Sequence, residues 1–169
     1  MSEGPLAPTA RYRLDASRPG FLSDPTQEVA VEALERLYRE LLAKPPKRRL
    51  GSPRLRWPPV KGLYLWGGVG RGKTYLLDTF FASLPFTRKQ RTHFHRFMLE
   101  VHERRKHYPH ETDPLLRVAD EIAEATRVLC FDEFFVSDIA DAMILGRLFG
   151  ALFARGVTLI ATRNVPPDD

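Results

Sequence analysis

The sequence predicts an α/β fold, in which a parallel sheet is covered by helices on both faces. Short apolar runs at residues 63–66, 128–131 and 157–161 are typical of buried strands. Longer segments with apolar residues at helical spacing lie between and around these runs. Strands that alternate with helices form parallel sheets, because each helix returns the chain to the starting edge of the next strand.

The composition is that of an ordinary globular domain. The 169 residues, 43% hydrophobic and 28% charged, are enough for one domain with a sizeable core. No run approaches the roughly 18 apolar residues that a membrane-spanning helix needs, and the N-terminal residues do not resemble a secretory signal. Cys130 is the only cysteine, so no internal disulfide forms and we expect a cytoplasmic protein.

The first helix is predicted to begin after Asp24, which can cap it. Pro25 fits the first helical position, and Gln27 completes a capping box with Asp24. An apolar stripe then continues to Pro45. The stripe consists of Ala30, Ala33, Leu34, Leu37, Tyr38 and Leu41.

A basic, proline-rich segment follows this helix. Residues 44–61 contain five prolines and seven basic residues but no acidic residue. The prolines predict an extended loop, and the charge attracts nucleic acid or anionic lipid. We interpret the segment as a solvated linker, with DNA binding as the alternative. Residues 1–61 are therefore expected to form an N-terminal helical segment with a basic loop, and residues 62–169 to form the core.

Further helices are predicted around the remaining strands. Helical spacing occurs at residues 74–84, in a segment that begins at Pro114, and in a long segment that Ser137 is expected to cap and Gly156 to end. Residues 93–97 are predicted to form another strand that runs into a polar helix. The inner stripe of the long helix is expected to contain Ile139, Met143, Ile144, Leu148 and Leu152.

A phosphate-binding loop is predicted at residues 67–74. The string GGVGRGKT fits the pattern G-x-x-x-x-G-K-[ST] at every required position. The glycines let successive main-chain N–H groups converge on phosphate oxygens, and the following helix adds the positive end of its dipole. Lys73 is expected to reach the β- and γ-phosphates of ATP, and Thr74 to hold Mg²⁺. The predicted nucleotide-binding residues are Gly67, Gly68, Val69, Gly70, Arg71, Gly72, Lys73, Thr74 and Tyr75.

Two acidic residues follow the apolar run at 128–131. Asp132 and Glu133 would lie at the carboxyl edge of the sheet, where ligands bind in open parallel sheets. We expect Asp132 to hold Mg²⁺ together with Thr74, and Glu133 to orient or deprotonate an attacking water. A nucleoside kinase needs no such glutamate, so the pair favours an ATP hydrolase over a small-molecule phosphotransferase.

Asn164 follows the last predicted strand. An amide at that strand tip can contact the γ-phosphate and the attacking water, although an asparagine shortly before two prolines is also ordinary turn chemistry. Taken with the other two motifs, it is assigned a functional role. The catalytic candidates are therefore Lys73, Glu133 and Asn164.

Other reactive or aromatic side chains are explained more simply by structure. The five histidines lie between residues 93 and 110, and no cysteine or acidic pair completes a metal-ligand set with them. We therefore expect a half-buried strand, in which His93 and His95 share a face, and a solvated helix. Cys130 is expected to be an inert buried thiol. Phe134 and Phe135 are expected in the core, with contact to a neighbouring subunit as the alternative.

The chain resembles the AFG-type AAA+ ATPases from about residue 12 to its end. The resemblance rests on the strings GLYLWGGVGRGKTYLLDTFF, HFHRFM, TDPL, CFDEFFVSDI and VTLIATRNVPPD, and on the D-x-x-Q element at 24–27. It implies Mg²⁺-dependent ATP hydrolysis, a nucleotide-dependent homo-oligomer and a role in bacterial cell division at the FtsZ ring. On the mitochondrial branch it implies quality control of respiratory-chain proteins. By motif, it assigns Lys73 and Thr74 to Walker A, Asp132 and Glu133 to Walker B, and Asn164 to sensor 1.

Two features depart from that family. At sensor 1 the chain has Thr162-Arg163-Asn164, where the family usually has Thr-Ser-Asn. The five residues after Asn164 cannot hold a fifth strand, an arginine finger or a helical lid. We therefore expect a partial AAA+ core that, alone, hydrolyses ATP very slowly or not at all. The alternatives are a truncated nucleotide-binding fragment and a helicase-loader-like ATPase that binds DNA through residues 44–61.

Overall fold

The structure, a computed structural model, describes residues 4–22, 24–48, 55–67 and 72–164. Helices cover both faces of a parallel sheet, which confirms the predicted α/β class. In chain order the elements are α1 (Pro8–Ala16), α2 (Pro25–Ala43), β1 (Lys47–Arg48), β2 (Leu55–Arg56), β3 (Leu63–Gly67), α3 (Gly72–Ser83), β4 (Lys89–His93), α4 (Phe94–Arg105), α5 (Pro114–Ala125), β5 (Val128–Asp132), α6 (Ile139–Ala154) and β6 (Thr158–Asn164).

The order of the parallel strands is β3-β6-β5-β4. Paired strands end together at the carboxyl edge: Gly67 is opposite Asn164, and His93 is opposite Asp132. Side chains that end one strand therefore lie beside those that end the next. β5 and β6 occupy the middle of the sheet, as their continuous apolar runs predict, whereas β3 lies at an edge and leaves Tyr64 45% exposed.

The core has two halves, one on each face of the sheet. Alternate residues of β5 point to opposite faces, so Leu129 and Phe131 pack with α4, α5 and α6, while Val128 and Cys130 pack with α2 and α3. The second half also includes Tyr12 of α1. The boundary between residues 61 and 62 stays a prediction, although helices from both sides of it pack in this half.

The strand predicted at 93–97 is wrong. The strand is β4, which ends at His93, and Phe94 begins α4. His93 and His95 therefore do not share a strand face. In α4, Phe94 and Phe97 are buried at a helical spacing of three, which a strand would have placed on opposite faces.

The N-terminal segment contains one helix more than predicted. α1 was not predicted because the residues it buries are Pro8, Tyr12 and Asp15, which do not form an apolar stripe. α2 begins as expected, with an Asp24 side chain that accepts a hydrogen bond of 2.8 Å from the Thr26 N–H. The reciprocal half of the capping box is wrong, because Oε1 of Gln27 has no hydrogen-bond partner among the described residues.

α6 and the basic segment also differ from expectation. The cap of α6 is Asp138 rather than Ser137, since the Asp138 side chain accepts from the Ala140 N–H at 2.7 Å. Leu148 and Leu152 are buried as predicted, but Ile139 and Met143 are 80% and 71% exposed. The described ends of the basic segment pair as the short antiparallel strands β1 and β2 instead of remaining an open loop. None of the helices in the described ranges has the length and apolar character to cross a membrane.

Candidate functional site

Four of the predicted site residues line one cavity of about 250 Å³ at the carboxyl edge of the sheet. Lys73 and Thr74 come from the first turn of α3, and Asp132 and Glu133 come from the end of β5 and the residue after it. The chain brings them together because α3 starts where β3 ends, and β5 lies two strands away in the same parallel sheet. The rest of the lining is Arg91, His93 and Thr162.

The helix that carries Lys73 begins at Gly72, two residues before the predicted start. A Cβ at Gly72 would lie 2.5 Å from Nε2 of Gln27, so a larger residue there would have to displace the end of the Gln27 side chain. Gly67 is the last residue of β3. Gly68, Val69, Gly70 and Arg71 lie outside the described residues, and their predicted contacts with phosphate stay a prediction.

Tyr75 connects this helix to α1. Its hydroxyl donates a hydrogen bond of 2.5 Å to Oδ2 of Asp15, which also accepts from Nε of Arg11 at 3.2 Å. Burial, followed by the neighbouring Asp15 carboxylate, raises the pKa of Tyr75 to about 12. For Asp15, burial opposes ionisation, but the hydrogen bonds from Tyr75 and Arg11 keep its pKa below the ordinary value. An ionised, almost fully buried carboxylate thus anchors the helix that bears Lys73 and Thr74.

Asp132 is held by Arg91 of β4. Nε of Arg91 donates to Oδ2 at 2.8 Å and Nη2 donates to Oδ1 at 2.9 Å, a two-point contact with both carboxylate oxygens. The hydrogen bonds to Asp132 raise the pKa of Arg91. Arg91 also forms an ion pair with Asp78 of α3. One guanidinium therefore joins the helix and the strand that form the two sides of the cavity.

Glu133 has a left-handed main chain with φ of 51°. This conformation costs a residue with a Cβ about 1–2 kcal/mol, so the surrounding structure has to hold it. Two hydrogen bonds to the buried Thr162 do so: the Glu133 N–H donates to Oγ1 at 3.3 Å, and the Phe134 N–H donates to the carbonyl oxygen at 2.7 Å. The bend exposes Glu133 at the cavity while Asp132 remains in the strand.

The main chain of Asn164 ends β6 beside Gly67, at the same edge of the sheet. Its side chain lies outside the described part of the structure, so its sensor role stays a prediction. The neighbouring Arg163 is exposed, and its guanidinium carbon lies 5.6 Å from the ring centroid of Phe135. Phe134 packs on the core as predicted, but Phe135 is 60% exposed, so placing it in the core was wrong.

The remaining candidates behave as ordinary structural residues. Nε2 of His102 lies 3.0 Å from Oδ1 of Asp141, and His95 is exposed on α4. Within the described ranges, no three His, Cys, Asp or Glu residues are grouped in a way that could hold a metal ion. Cys130 is fully buried, as predicted, and burial raises the pKa of its thiol to about 12, which disfavours the reactive thiolate.

Sequence reasoning missed three residues of the cavity: Arg91, His93 and Thr162. The misplaced strand explains two of them. With β4 ending at His93, the rule that ligands bind at the carboxyl ends of parallel strands would have selected His93, and Arg91 two residues earlier on the same side. In the sequence, Thr162 is only the first residue of the sensor 1 string Thr162-Arg163-Asn164, and no role was assigned to it.

A helix that starts at a phosphate-loop motif, facing an acidic strand end across a parallel sheet, defines the chain as a P-loop nucleoside-triphosphatase fold. The family model for AFG1-like ATPases matches residues 6–169, and the chain belongs to this family. Cell division protein ZapE of Escherichia coli K12 is 51% identical over 177 aligned residues, which cover 97% of this chain and 47% of ZapE. The chain therefore spans about half the length of this relative.

Solved structures show the same fold at low sequence identity. AMPPCP-bound DnaA from Aquifex aeolicus superposes with a TM-score of 0.56 at 17% identity, covering 86% of this chain and 40% of DnaA. The DnaC helicase loader superposes with a TM-score of 0.55 at 13% identity, covering 94% of this chain and 81% of DnaC. At these identities the likeness concerns the fold alone, a parallel α/β sheet covered by helices.

Proposed function

We propose that this protein binds ATP with Mg²⁺ and, once a neighbouring subunit completes its site, hydrolyses it to ADP and phosphate. Alone, the chain is expected to hydrolyse ATP very slowly or not at all. The observation that carries the proposal is the single cavity of about 250 Å³ in which Lys73 and Thr74 face Asp132 and Glu133. A lysine and main-chain N–H groups at a helix start suit phosphate oxygens, and two carboxylates suit a metal ion and a water. Membership of the AFG1-like ATPases supports the same activity.

The oxygen atoms in the cavity fit Mg²⁺. The Thr74 hydroxyl and the Asp132 carboxylate are hard oxygen ligands, and Mg²⁺ typically uses one or two of these together with water and substrate phosphates. When bound, the ion would neutralise charge on the β- and γ-phosphates. Lys73 would hold the same phosphates from the helix side and orient the terminal group toward the strand ends.

Glu133 is the residue we assign to the attacking water. It is exposed at the cavity, and Thr162 holds its main chain in the bend that directs it there. A carboxylate there can accept a hydrogen bond from water and align it with the γ-phosphate. Asn164, which ends the adjacent strand β6, is proposed as the second contact to this water.

The cellular role we propose is in bacterial cell division, in the cytoplasm and at the FtsZ ring, as a homo-oligomer in which a neighbouring subunit's arginine completes the site. The support is the 51% identity to a protein named for cell division. Co-sedimentation with FtsZ polymers tests this role. We expect more protein in the pellet with Mg²⁺–ATP than without nucleotide, and equal recovery in both conditions would contradict nucleotide-dependent binding to FtsZ.

The activity is tested with three variants of the purified protein. Lys73→Ala should lose binding of a fluorescent ATP analogue by at least about tenfold, since hydrogen bonds to charged groups contribute about 1.5–3 kcal/mol. Glu133→Gln should bind the analogue normally but lose phosphate release. Lys61→Ala, which removes an exposed lysine of the basic segment, is the matched control and should change neither analogue binding nor phosphate release.

Three results would change this assignment. Unaltered binding in Lys73→Ala would contradict the site. A robust steady-state rate of phosphate release by the parent protein alone, abolished in Lys73→Ala, would contradict the need for a neighbouring subunit. Tight, salt-sensitive binding of DNA that Lys61→Ala weakens would favour the helicase-loader alternative.

A further inference from the structure

The carboxylate proposed to hold Mg²⁺ is already fully engaged by Arg91. Both oxygens of Asp132 accept hydrogen bonds from this one side chain, at 2.8 Å and 2.9 Å. The pair is well shielded from water, with side chains 21% and 16% exposed for Arg91 and Asp132. A divalent cation near Asp132, bound directly or through water, would need at least one of these oxygens and would repel the guanidinium.

The same guanidinium has a second acidic partner within reach. Arg91 is also ion-paired with Asp78, which lies on α3 one helical turn after Thr74 and has a side chain 57% exposed. If the contact with Asp132 is broken, Arg91 keeps a counter-ion without leaving its strand. The charge is therefore balanced whether Asp132 is paired with Arg91 or with a metal ion.

We propose that Arg91 is a positioning residue that is shared between Asp132 and Asp78 in the absence of Mg²⁺–nucleotide and is transferred wholly to Asp78 when Mg²⁺–nucleotide binds. This inference rests on the proposed ATPase function and adds a residue outside its motifs. It makes nucleotide and metal binding cooperative, because the γ-phosphate side of the cavity opens only when Arg91 releases Asp132. A clamp that simply ties α3 to β5 would leave the metal requirement unchanged.

The test is the Mg²⁺ dependence of binding of a fluorescent ADP analogue to the purified protein, measured from EDTA to excess Mg²⁺. Arg91→Met keeps the aliphatic stem and removes the charge. The Mg²⁺ concentration for half-maximal binding should fall about tenfold, as expected when a competing charged hydrogen-bonded pair is lost. Asp78→Asn should raise it about threefold, because the transferred arginine loses its partner. The double variant should match Arg91→Met, since Asp78 acts only through Arg91.

Several outcomes overturn the proposal. An unchanged or increased Mg²⁺ requirement in Arg91→Met, or a decreased requirement in Asp78→Asn, contradicts the transfer. Thermal unfolding of each variant controls for folding. If Arg91→Met does not unfold cooperatively, Arg91→Lys and Asp78→Asn test the proposal instead. The Mg²⁺ concentration for half-maximal binding should then decrease in Arg91→Lys and increase in Asp78→Asn. Absence of nucleotide binding by the parent protein would overturn the ATPase function as well, whereas normal binding with an unshifted Mg²⁺ requirement would overturn only the role of Arg91.

Discussion

Replacement of Tyr75 by phenylalanine removes the hydroxyl that ties α3 to α1. The hydrogen bond is short, 2.5 Å from Oη to Oδ2, and its acceptor Asp15 has a side chain only 9% exposed. Hydrogen bonds to charged groups contribute about 1.5–3 kcal/mol. Because Arg11 keeps its own bond to Asp15, we expect a loss of about 2 kcal/mol in the free energy of unfolding. In a domain of this size that loss lowers Tm by roughly 4–8 °C.

Thermal and urea denaturation of Tyr75→Phe measure this loss, and Tyr12→Phe is the matched control. Tyr12 belongs to the same aromatic cluster, since both rings contact Phe21 edge-on at 5.6 Å and 5.7 Å. Its hydroxyl makes no hydrogen bond to a side chain among the described residues, so its removal should cost less than about 1 kcal/mol. Equal losses in the two variants would contradict the special role of the bond to Asp15.

The difference between wild type and Tyr75→Phe should also depend on pH. The folded-state pKa of Asp15 is held below its ordinary value of 3.8, so its contribution is complete above that value and is lost as the pH falls through the folded-state pKa. The pKa of Tyr75 is raised from 10.0 to about 12, so its contribution is complete below pH 10 and is lost as the pH rises toward 12. A difference that stays constant through both windows would contradict a hydrogen bond between these two groups.

Three further predictions concern the strained turns and the core. Gly156→Ala should cost more than about 3 kcal/mol in the free energy of unfolding, because φ is 85° and the new Cβ would lie 2.1 Å from a main-chain carbonyl oxygen. Gly20→Ala, with φ of 84° and no atom within 4 Å of the new Cβ, should lower the free energy of unfolding by only about 1–2 kcal/mol. Equal losses in the two variants would show that the contact with the carbonyl oxygen contributes nothing. Thr162→Val should lower the slow rate of ATP hydrolysis by up to about tenfold, since it removes the hydroxyl that binds the main-chain N–H of Glu133. Thr162→Ser should not lower this rate, and a measurable rate that is equal in the two variants would contradict the role of the hydroxyl. Cys130, with a pKa of about 12, should react with a thiol reagent only as fast as the protein unfolds, and faster labelling in the native state would contradict its burial.

The elements that the sequence predicted well are those whose signals are local. β5 is an uninterrupted apolar run that supplies both halves of the core, and α3 combines a phosphate-loop motif with an apolar face. Asp132 ends β5 and Glu133 follows it directly, so predicting the strand also located these two residues. Parallel pairing then determined that they lie at the same edge as the start of α3.

The elements that were missed take their stability from polar contacts across the fold. β4 has the sequence KQRTH, with no apolar residue, because its side chains are used in specific bonds. Nζ of Lys89 donates to two carbonyl oxygens at the end of α3, at 2.7 Å and 3.1 Å, and Arg91 is bound by two carboxylates. Likewise α1 is held by the buried charge of Asp15. Neither a hydrophobic pattern nor a cap reveals such contacts, since Asp132 lies 41 residues from Arg91 and Tyr75 lies 60 residues from Asp15.

The measurement that tests the ATPase proposal most directly is the thermal stability of the protein with and without Mg²⁺–ATP, compared with that of Lys73→Ala. A nucleotide at one hundred times its Kd stabilises the folded state by about 2.7 kcal/mol, which corresponds to a rise in Tm of roughly 5–11 °C for a chain of this length. We predict that rise for the wild-type protein and its absence for Lys73→Ala. No rise in the wild-type protein at saturating nucleotide, or the same rise in both proteins, would contradict nucleotide binding through Lys73.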